Sequence, residues 1–394
     1  MTSDTYYPDI GGAEMHVFYL QKQLRAMGHD VTLFVTNTKI ASEDAMYPVV
    51  RERWSLLRSP LLFMRLWKLS SNIDIIQCHY SYKIACVAGL VAKLRRKPMV
   101  ITQHGMGLLD QAGAKGIYRL LHAMYRFISL RLATHTISTS QDLADVQLVF
   151  YPHSSIEVIP NGIDAGRFAP GKADSFIDTR LDGAYPVLLT VRRLVPKNGI
   201  HFVIPMLAAL KGKYPAIKYV MVGDGRSRII IETLIKKYDV AEQCIFLDTQ
   251  TQDRVATIGA RADLVLFPST AESTSLACAE MMALGKRILA SRVGGLIELI
   301  GKNEERGWFT KLVDWESSNY DAPESLSEER TQGFAQDVIR ALEDTNGDKK
   351  TSAANDYAVD ELDWSVITEK TLAVFKRLVG KRDEQNAMSG RFKI

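Results

Sequence analysis

Twice along this chain, short β-prone runs alternate with amphipathic helical patterns, and that double alternation restricts the fold more than any other feature. In the first half, VTLFVT (31–36), IDIIQCHY (73–80), PMVITQ (98–103), ATHTIS (133–138) and SIEVIP (155–160) read as short buried strands. Between them lie helical stretches such as AEMHVFYLQKQLRAMG, apolar at Val17, Leu20, Leu24 and Met27 and stopped by Gly28. After PNGIDAGRFAPGKADSFIDTRLDGAYP the alternation restarts with VLLTV (187–191), KYVMVG (218–223), CIFLD (244–248), DLVLFP (263–268) and RILAS (287–291). Strand–helix alternation implies right-handed crossovers between parallel strands. Two such runs, split by a Gly-, Pro- and Asp-rich connector, predict two doubly wound, Rossmann-like α/β domains, which 394 residues accommodate comfortably. The expected boundaries are 1–175 and 176–362, then a helix over 363–380 and a polar, loose tail over 381–394. A doubly wound domain opens with a strand whose following turn binds ligand. Here the turn YYPDIGGAE is present but only Met1 to Thr5 precede it, so most of the first strand is expected to lie upstream of residue 1.

Net charge is +4, from 49 basic and 45 acidic residues, an excess too small to argue for nucleic acid. Cys78, Cys86, Cys244 and Cys278 are scattered without metal-ligand spacing, which fits reduced thiols in a cytoplasmic protein rather than disulfides or zinc. The amino terminus has neither a basic nor an apolar segment of the signal-peptide kind, and no apolar run is long enough to span a bilayer.

The stretch FPSTAESTSLACAEMMALGKRILAS, 267–291, concentrates the chemistry. DLVLFPS would end at the carboxyl edge of the second sheet, where doubly wound proteins bind ligands. Thr274 or Ser275 would cap a helix running to Leu284, with Gly285 ending it. The first turn of such a helix leaves free N–H groups and partial positive charge, a ready phosphate site. Glu272 precedes the helix and Glu280 lies within it, about a turn and a half on. Carboxylates accept hydrogen bonds from paired hydroxyls, so the stretch suits a nucleotide sugar. Spacing alone is equally compatible with a solvated helix glutamate and a plain loop acid.

The Glu-x7-Glu pattern resembles that of retaining glycosyltransferases of the GT-B fold, family 4, a group that includes phosphatidylinositol mannosyltransferases and many capsule and lipopolysaccharide enzymes. YYPDIGGAE resembles that family's first glycine loop, ITQHG its histidine turn, VIPNGIDAGRF the segment entering its linker and VRRLVPKNG its basic strand end. VMVGDG and VGGLIELI are similar to later turns, and ELDWSVITEKTLAVFKRL to the helix that crosses back onto the first domain. Seven partial matches in order span nearly the whole chain. The resemblance implies two domains facing across a cleft that closes on substrate, with the donor on the second and the acceptor on the first. It implies that Glu280 holds the nucleotide ribose and Glu272 the donor-sugar hydroxyls. Ser273, Thr274, Ser275 and Leu276 would present the helix start to the diphosphate. Arg193 and Lys197 would neutralise that diphosphate as it departs. His104 would sit near the donor sugar and acceptor hydroxyl, and Gly11 and Gly12 would bring backbone N–H groups to the pyrophosphate or acceptor. The chain departs from the family at Arg192, where glycine is usual, at Asn198, where the usual lysine falls, and at Ser273 and Ser275, where many members have glycine.

Basic residues gather in the first half. Arg51, Arg53, Arg58, Arg65 and Lys68 stand among leucines, Phe63, Trp54 and Trp67; Lys93, Arg95, Arg96 and Lys97 follow, then Arg119, Arg126 and Arg131. Basic helices carrying aromatics suit an anionic membrane surface as well as ordinary packing on a sheet. The reading is a metal-independent, cofactor-free hexosyltransferase, since no Asp-x-Asp motif stands at a strand end. It would move sugar from a UDP- or GDP-linked donor to a lipid-linked or cell-surface glycan acceptor, in the cytoplasm or at the inner face of the membrane. The rivals are a nucleotide-sugar 2-epimerase of related fold and a silent nucleotide-sugar-binding partner protein, the latter motivated by the departures just named.

Overall fold

A computed structural model describes residues 1–4, 6, 11–36, 48–51, 59–79, 82–105, 117–152, 154–171, 178–312, 326–380 and 392–394. The chain forms two compact units, Met1–Gly162 with Trp364–Ile394, and Ile163–Asp363. The expected boundary at 175 thus lies within the stretch that belongs to the second unit.

The first unit runs β1 (Thr2–Ser3), α1 (Gly12–Ala26), β2 (Leu33–Val35), β3 (Val49–Arg51), α2 (Ser59–Leu69), β4 (Ile76–His79), α3 (Tyr82–Leu94), β5 (Met99–Gln103), α4 (Ile117–Leu132), β6 (His135–Ser138), α5 (Gln141–Phe150) and β7 (Ile156–Val158). Its strands are all parallel in the order β3-β2-β1-β4-β5-β6-β7. β1 is only two residues long, yet Thr2 and Ser3 pair with Phe34 and Val35 on one side and with Cys78 and His79 on the other. Arg51 lies in the edge strand β3 rather than in a basic helix, because Val49–Val50 pairs with Leu33–Phe34. Arg53, Trp54 and Arg58 lie outside the described residues.

The second unit runs β8 (Val187–Val191), α6 (Val203–Leu210), β9 (Lys218–Val222), α7 (Arg228–Lys237), β10 (Cys244–Phe246), α8 (Gln252–Ala260), β11 (Leu264–Phe267), α9 (Leu276–Ala283), β12 (Ile288–Ser291), α10 (Gly294–Ile300), β13 (Trp308–Thr310), α11 (Glu328–Glu343) and α12 (Gly347–Leu362). Its parallel order is β10-β9-β8-β11-β12-β13. Two apolar clusters cover this sheet: one holds Val265, Phe267, Cys278, Met282 and Ala290, the other Leu264, Leu266, Tyr219, Phe202 and Phe334. Alternate residues of β11 thus enter opposite cores, as a strand buried on both faces requires. β3 and β13 escape the sequence reading because each is a three-residue piece at a sheet edge, too short for periodicity to register.

Both sheets reverse strand order once, between β1 and β4 and between β8 and β11. These are the topological switch points at which doubly wound folds leave a crevice beyond the carboxyl ends of the strands.

The last helix, α13 (Trp364–Gly380), belongs to the first unit and packs on α1 through a core containing Leu20, Leu24, Ile367, Leu372 and Phe375. The end of the chain departs from the loose tail expected for 381–394. Residues 381–391 are outside the described set, but Phe392 and Ile394 are buried. The Asp30 amide donates to the Phe392 carbonyl at 2.9 Å, and the Ile394 amide donates to the Asp30 carbonyl at 2.7 Å. Backbone pairing plus burial of Phe392 and Ile394 offsets the ordering entropy of three residues.

Candidate functional site

At the second unit's switch point, two loops converge. The first leaves β8 through Arg192 and Arg193, makes a 3-10 turn at Pro196–Asn198 and reverses at Gly199. Gly199 has φ +66°, and a Cβ there would stand 1.8 Å from the Pro268 carbonyl oxygen, so only glycine lets this loop lie against the end of β11. The second loop follows β11. Its Thr270 amide donates to the Lys197 carbonyl at 2.8 Å, tying the loops together. Ser275 then caps α9, its hydroxyl accepting from the Cys278 amide at 3.3 Å, and Gly285, with φ +67°, follows the helix's end. Gly295, in the first turn of α10, packs so closely on this loop that a Cβ would meet the Ser273 carbonyl oxygen at 2.2 Å. That close approach gives VGGLIELI a physical reason.

Arg193 is exposed, while its carbonyl accepts a 2.7 Å bond from the Asn198 side chain. Asn198, at the family's lysine position, is therefore a buried loop brace. Lys197 is half-buried on the same turn. Arg192 is the residue that sequence reasoning left without a role. Its guanidinium is buried, donates to the Ser269 hydroxyl and pairs with the Glu272 carboxylate. Burial pulls the Arg192 pKa down to about 10, partly offset by the neighbouring Cys278 thiol and reinforced by Arg193, so it keeps its charge at neutral pH. Its one sequence signal was a departure, arginine where the family has glycine.

Glu280 is buried in α9, with the Gln252 amide 3.4 Å from its Oε1. Burial pushes its carboxyl up to about 8; Arg167 opposes that and Asp164 adds to it. Arg167 is held in turn by Asp253 at 2.9 Å. A carboxyl in this state gains from hydroxyl donors that stabilise its anion. Gln252 and Asp253 carried no sequence signal. Arg192, Arg193, Lys197, Glu272, Ser273, Thr274, Ser275, Leu276 and Glu280 thus share one strand-edge region of the second unit.

His104, Gly11 and Gly12 lie in the first unit. Gly11 precedes α1 and Gly12 opens it; residues 7–10 of that loop, and Tyr80, are outside the described set. His104 follows β5 and meets His79, the last residue of β4, with His79 Nδ1 3.1 Å from His104 Nε2. His16 of α1 stands edge-on to His104, ring centroids 4.5 Å apart, and its Nδ1 is 2.9 Å from Asn161 Oδ1. Asn161, within the VIPNGIDAGRF segment, is thus a side-chain partner of His16. Burial lowers the pKa of all three rings, His16 to about 4, and Asn161 opposes the shift only in part at His16 and His104, so each ring is neutral at pH 7.

Among the described residues no helix is long and apolar enough to cross a membrane. The first unit does expose apolar side chains beside basic ones on α2, α3 and α4, among them Met64, Trp67, Leu94, Leu120 and Phe127. The Arg95 guanidinium lies 3.8 Å from the centre of the Trp67 ring.

A family model described as Glycosyltransferase Family 4 matches residues 10–167, and one described as Glycosyl transferases group 1 matches residues 172–346. The gpi3 subunit of the Schizosaccharomyces pombe phosphatidylinositol N-acetylglucosaminyltransferase is 23% identical over 78% of this chain and 68% of its own length. The Homo sapiens enzyme of the same name includes a polypeptide that is 25% identical over 77% of this chain and 63% of its own length. Glycogen synthase of Mycobacterium tuberculosis is 24% identical over 95% of this chain and 93% of its own. Among solved structures, Anabaena HepE in complex with UDP and glucose superposes with a TM-score of 0.71 at 19% identity, covering 96% of this chain and 99% of that one. With two doubly wound units and both models matched in order, the chain belongs to the family 4 glycosyltransferases of GT-B fold.

Proposed function

We propose that this glycosyltransferase moves a hexosyl group, with retention of configuration, from a UDP- or GDP-linked sugar to a hydroxyl of a lipid-linked or cell-surface glycan. The observation that carries the reading is the convergence at the second unit's switch point. There Lys197, Arg193, the capped start of α9 and the buried Glu280 stand on loops bonded to each other. Glu280 would accept the two ribose hydroxyls, and the amides at the start of α9, from Thr274 to Leu276, would meet the diphosphate. As the glycosidic C–O bond breaks, its electron pair goes to a phosphate oxygen, and Arg193 and Lys197 stabilise that charge. The acceptor oxygen then bonds to the anomeric carbon on the same face, passing its proton to the departing phosphate. Glu272, held by Arg192, keeps an acceptor for the donor-sugar hydroxyls, and His104 orients a hydroxyl.

This chemistry places the positive charge on side chains, so activity is expected to survive EDTA. The names of the phosphatidylinositol-glycosylating relatives, together with the basic, apolar-studded helices of the first unit, support a lipid-linked acceptor and a peripheral seat on an anionic membrane. The deciding experiment is a thermal-shift screen over nucleotide sugars, in which a ligand that prefers the native state raises Tm. Glu280→Ala is expected to abolish the shift. A shift of undiminished size in that variant would overturn the ribose assignment.

A further inference from the structure

We infer that Gln252 is a positioning residue of the nucleotide site: turned by Arg167, its amide donates to Oε1 of Glu280 and sets that carboxylate to take both hydroxyls of a ribose. The inference rests on the assignment of Glu280 to the ribose and deepens it. Three segments far apart in sequence meet here: the turn at 164–167, the start of α8 at Gln252 and Asp253, and Glu280 in α9. Arg167 Nη1 donates to Gln252 Oε1 at 2.5 Å, and Arg167 Nε lies 2.9 Å from Asp253 Oδ1. One guanidinium thus grips two successive residues in the first turn of α8. Asp164 holds the same arginine from its own turn, accepting from the Arg167 backbone amide at 3.0 Å and standing 3.7 Å from Nη1.

A side-chain amide can be turned either way, and Arg167 decides which way this one faces. A guanidinium only donates, so the Gln252 atom that it meets is the carbonyl oxygen. The Gln252 NH2 group therefore faces Glu280, with Nε2 3.4 Å from Oε1. A carboxylate has about four lone-pair positions, half of them on each oxygen. Gln252 takes one of those on Oε1, while Oε2 has no hydrogen-bond partner among the described residues. What is left matches two neighbouring hydroxyl donors. At 3.4 Å the bond is long; ionisation of Glu280 makes it charge-assisted and shorter, so Gln252 favours the form that a ribose binds. The charged groups acting on Glu280 are Arg167, which favours its anion, and Asp164, which opposes it; Asp253 acts through Arg167. From α12, which packs on α9, Asn355 donates to the Ala283 carbonyl and brings no charge.

The test is calorimetric binding of UDP and of GDP to the full-length protein from about pH 6 to about pH 9, each variant being compared with the parent at the same pH so that ionisation of the base cancels. Gln252→Met keeps the side-chain volume at a half-buried position and should melt with the parent; Gln252→Ala is the second variant. With the donor gone, Glu280 ionises at higher pH. Affinity at about pH 7 should fall about 10-fold, and the loss should shrink to about 2-fold by about pH 9. Arg167→Met removes both the group that turns the amide and the cation that favours the anion, so it should carry the same profile further. A role in packing alone would weaken binding by one factor at every pH, and that result overturns the inference, as does parental affinity in the folded Gln252 variants. Glu280→Gln separates the two levels. Parental affinity there removes the ribose assignment and the role of Gln252 with it, whereas a loss there beside unchanged Gln252 variants removes Gln252 alone. No binding of either nucleotide by the parent overturns both.

Discussion

At the second unit's switch point the ionisable groups are charged or ready to charge: Arg192 against Glu272, Arg193 and Lys197 on one turn, and Glu280 poised near pH 8. At the first unit's switch point stand three neutral imidazoles, buried His16 and His79 with half-buried His104, and a carboxamide, beside a tryptophan. The same strand order therefore carries two different electrostatic environments. A crevice that handles a diphosphate needs compensating charge, whereas one that sets the geometry of a hydroxyl needs fixed, uncharged donors and acceptors. Fold supplies the location, and the residues at the strand ends supply the chemistry.

The comparison breaks most easily at Arg192. Replacing it with alanine leaves the Glu272 carboxylate buried without its cation and should cost about 3–5 kcal/mol of stability, read as a fall in denaturation midpoint. Adding Glu272→Gln should restore much of that loss. A midpoint unmoved by Arg192→Ala would mean that this pair does not hold the charged site together. Next comes Arg193→Ala, expected to lower kcat/KM by roughly 100-fold, about 3 kcal/mol, if the exposed guanidinium meets the leaving diphosphate; steady-state rates decide it.

Glu280 gives a pH signature that the neutral cluster should lack. If ribose hydroxyls donate to its ionised form, nucleotide affinity should rise as pH climbs toward about 8 and level off above. The gain should approach tenfold per unit on the acid side, about 1.4 kcal/mol. Calorimetry in buffers of different ionisation enthalpy should record proton release on binding, and Glu280→Gln should flatten both effects. For the unliganded protein the sign reverses: the raised folded pKa gives stability that is complete below the unfolded value and lost as pH rises through about 8. Glu280→Gln should accordingly melt higher than the parent at pH 8. The smallest effect belongs to the helical face of the first unit. Arg65→Ala or Lys68→Ala should each weaken sedimentation with anionic vesicles by about 1 kcal/mol at low salt, and no vesicle binding by the parent would end the membrane reading.

Ten strands were legible from the residues because buried parallel strands are short apolar runs bounded by turn residues, and α9 with its Ser275 cap and terminal glycine was legible for local reasons too. Arg192 was visible only as a departure. That it binds Glu272, eighty positions along the chain, depends on β8 and β11 becoming neighbours. Gln252 behind Glu280 and Asn161 beside His16 were equally out of reach, since no local spacing connects positions 28 or 145 residues apart.

The order of residues by itself determined the two parallel sheets and the capped helix start after β11, because periodicity, caps and turn residues act over a few positions; the groups assigned to a diphosphate came from the resemblance to family 4. Only the tertiary structure decided which of those groups are charged, paired or neutral. Burial and partners set protonation, and both come from strands and helices far apart in sequence that the switch points bring together.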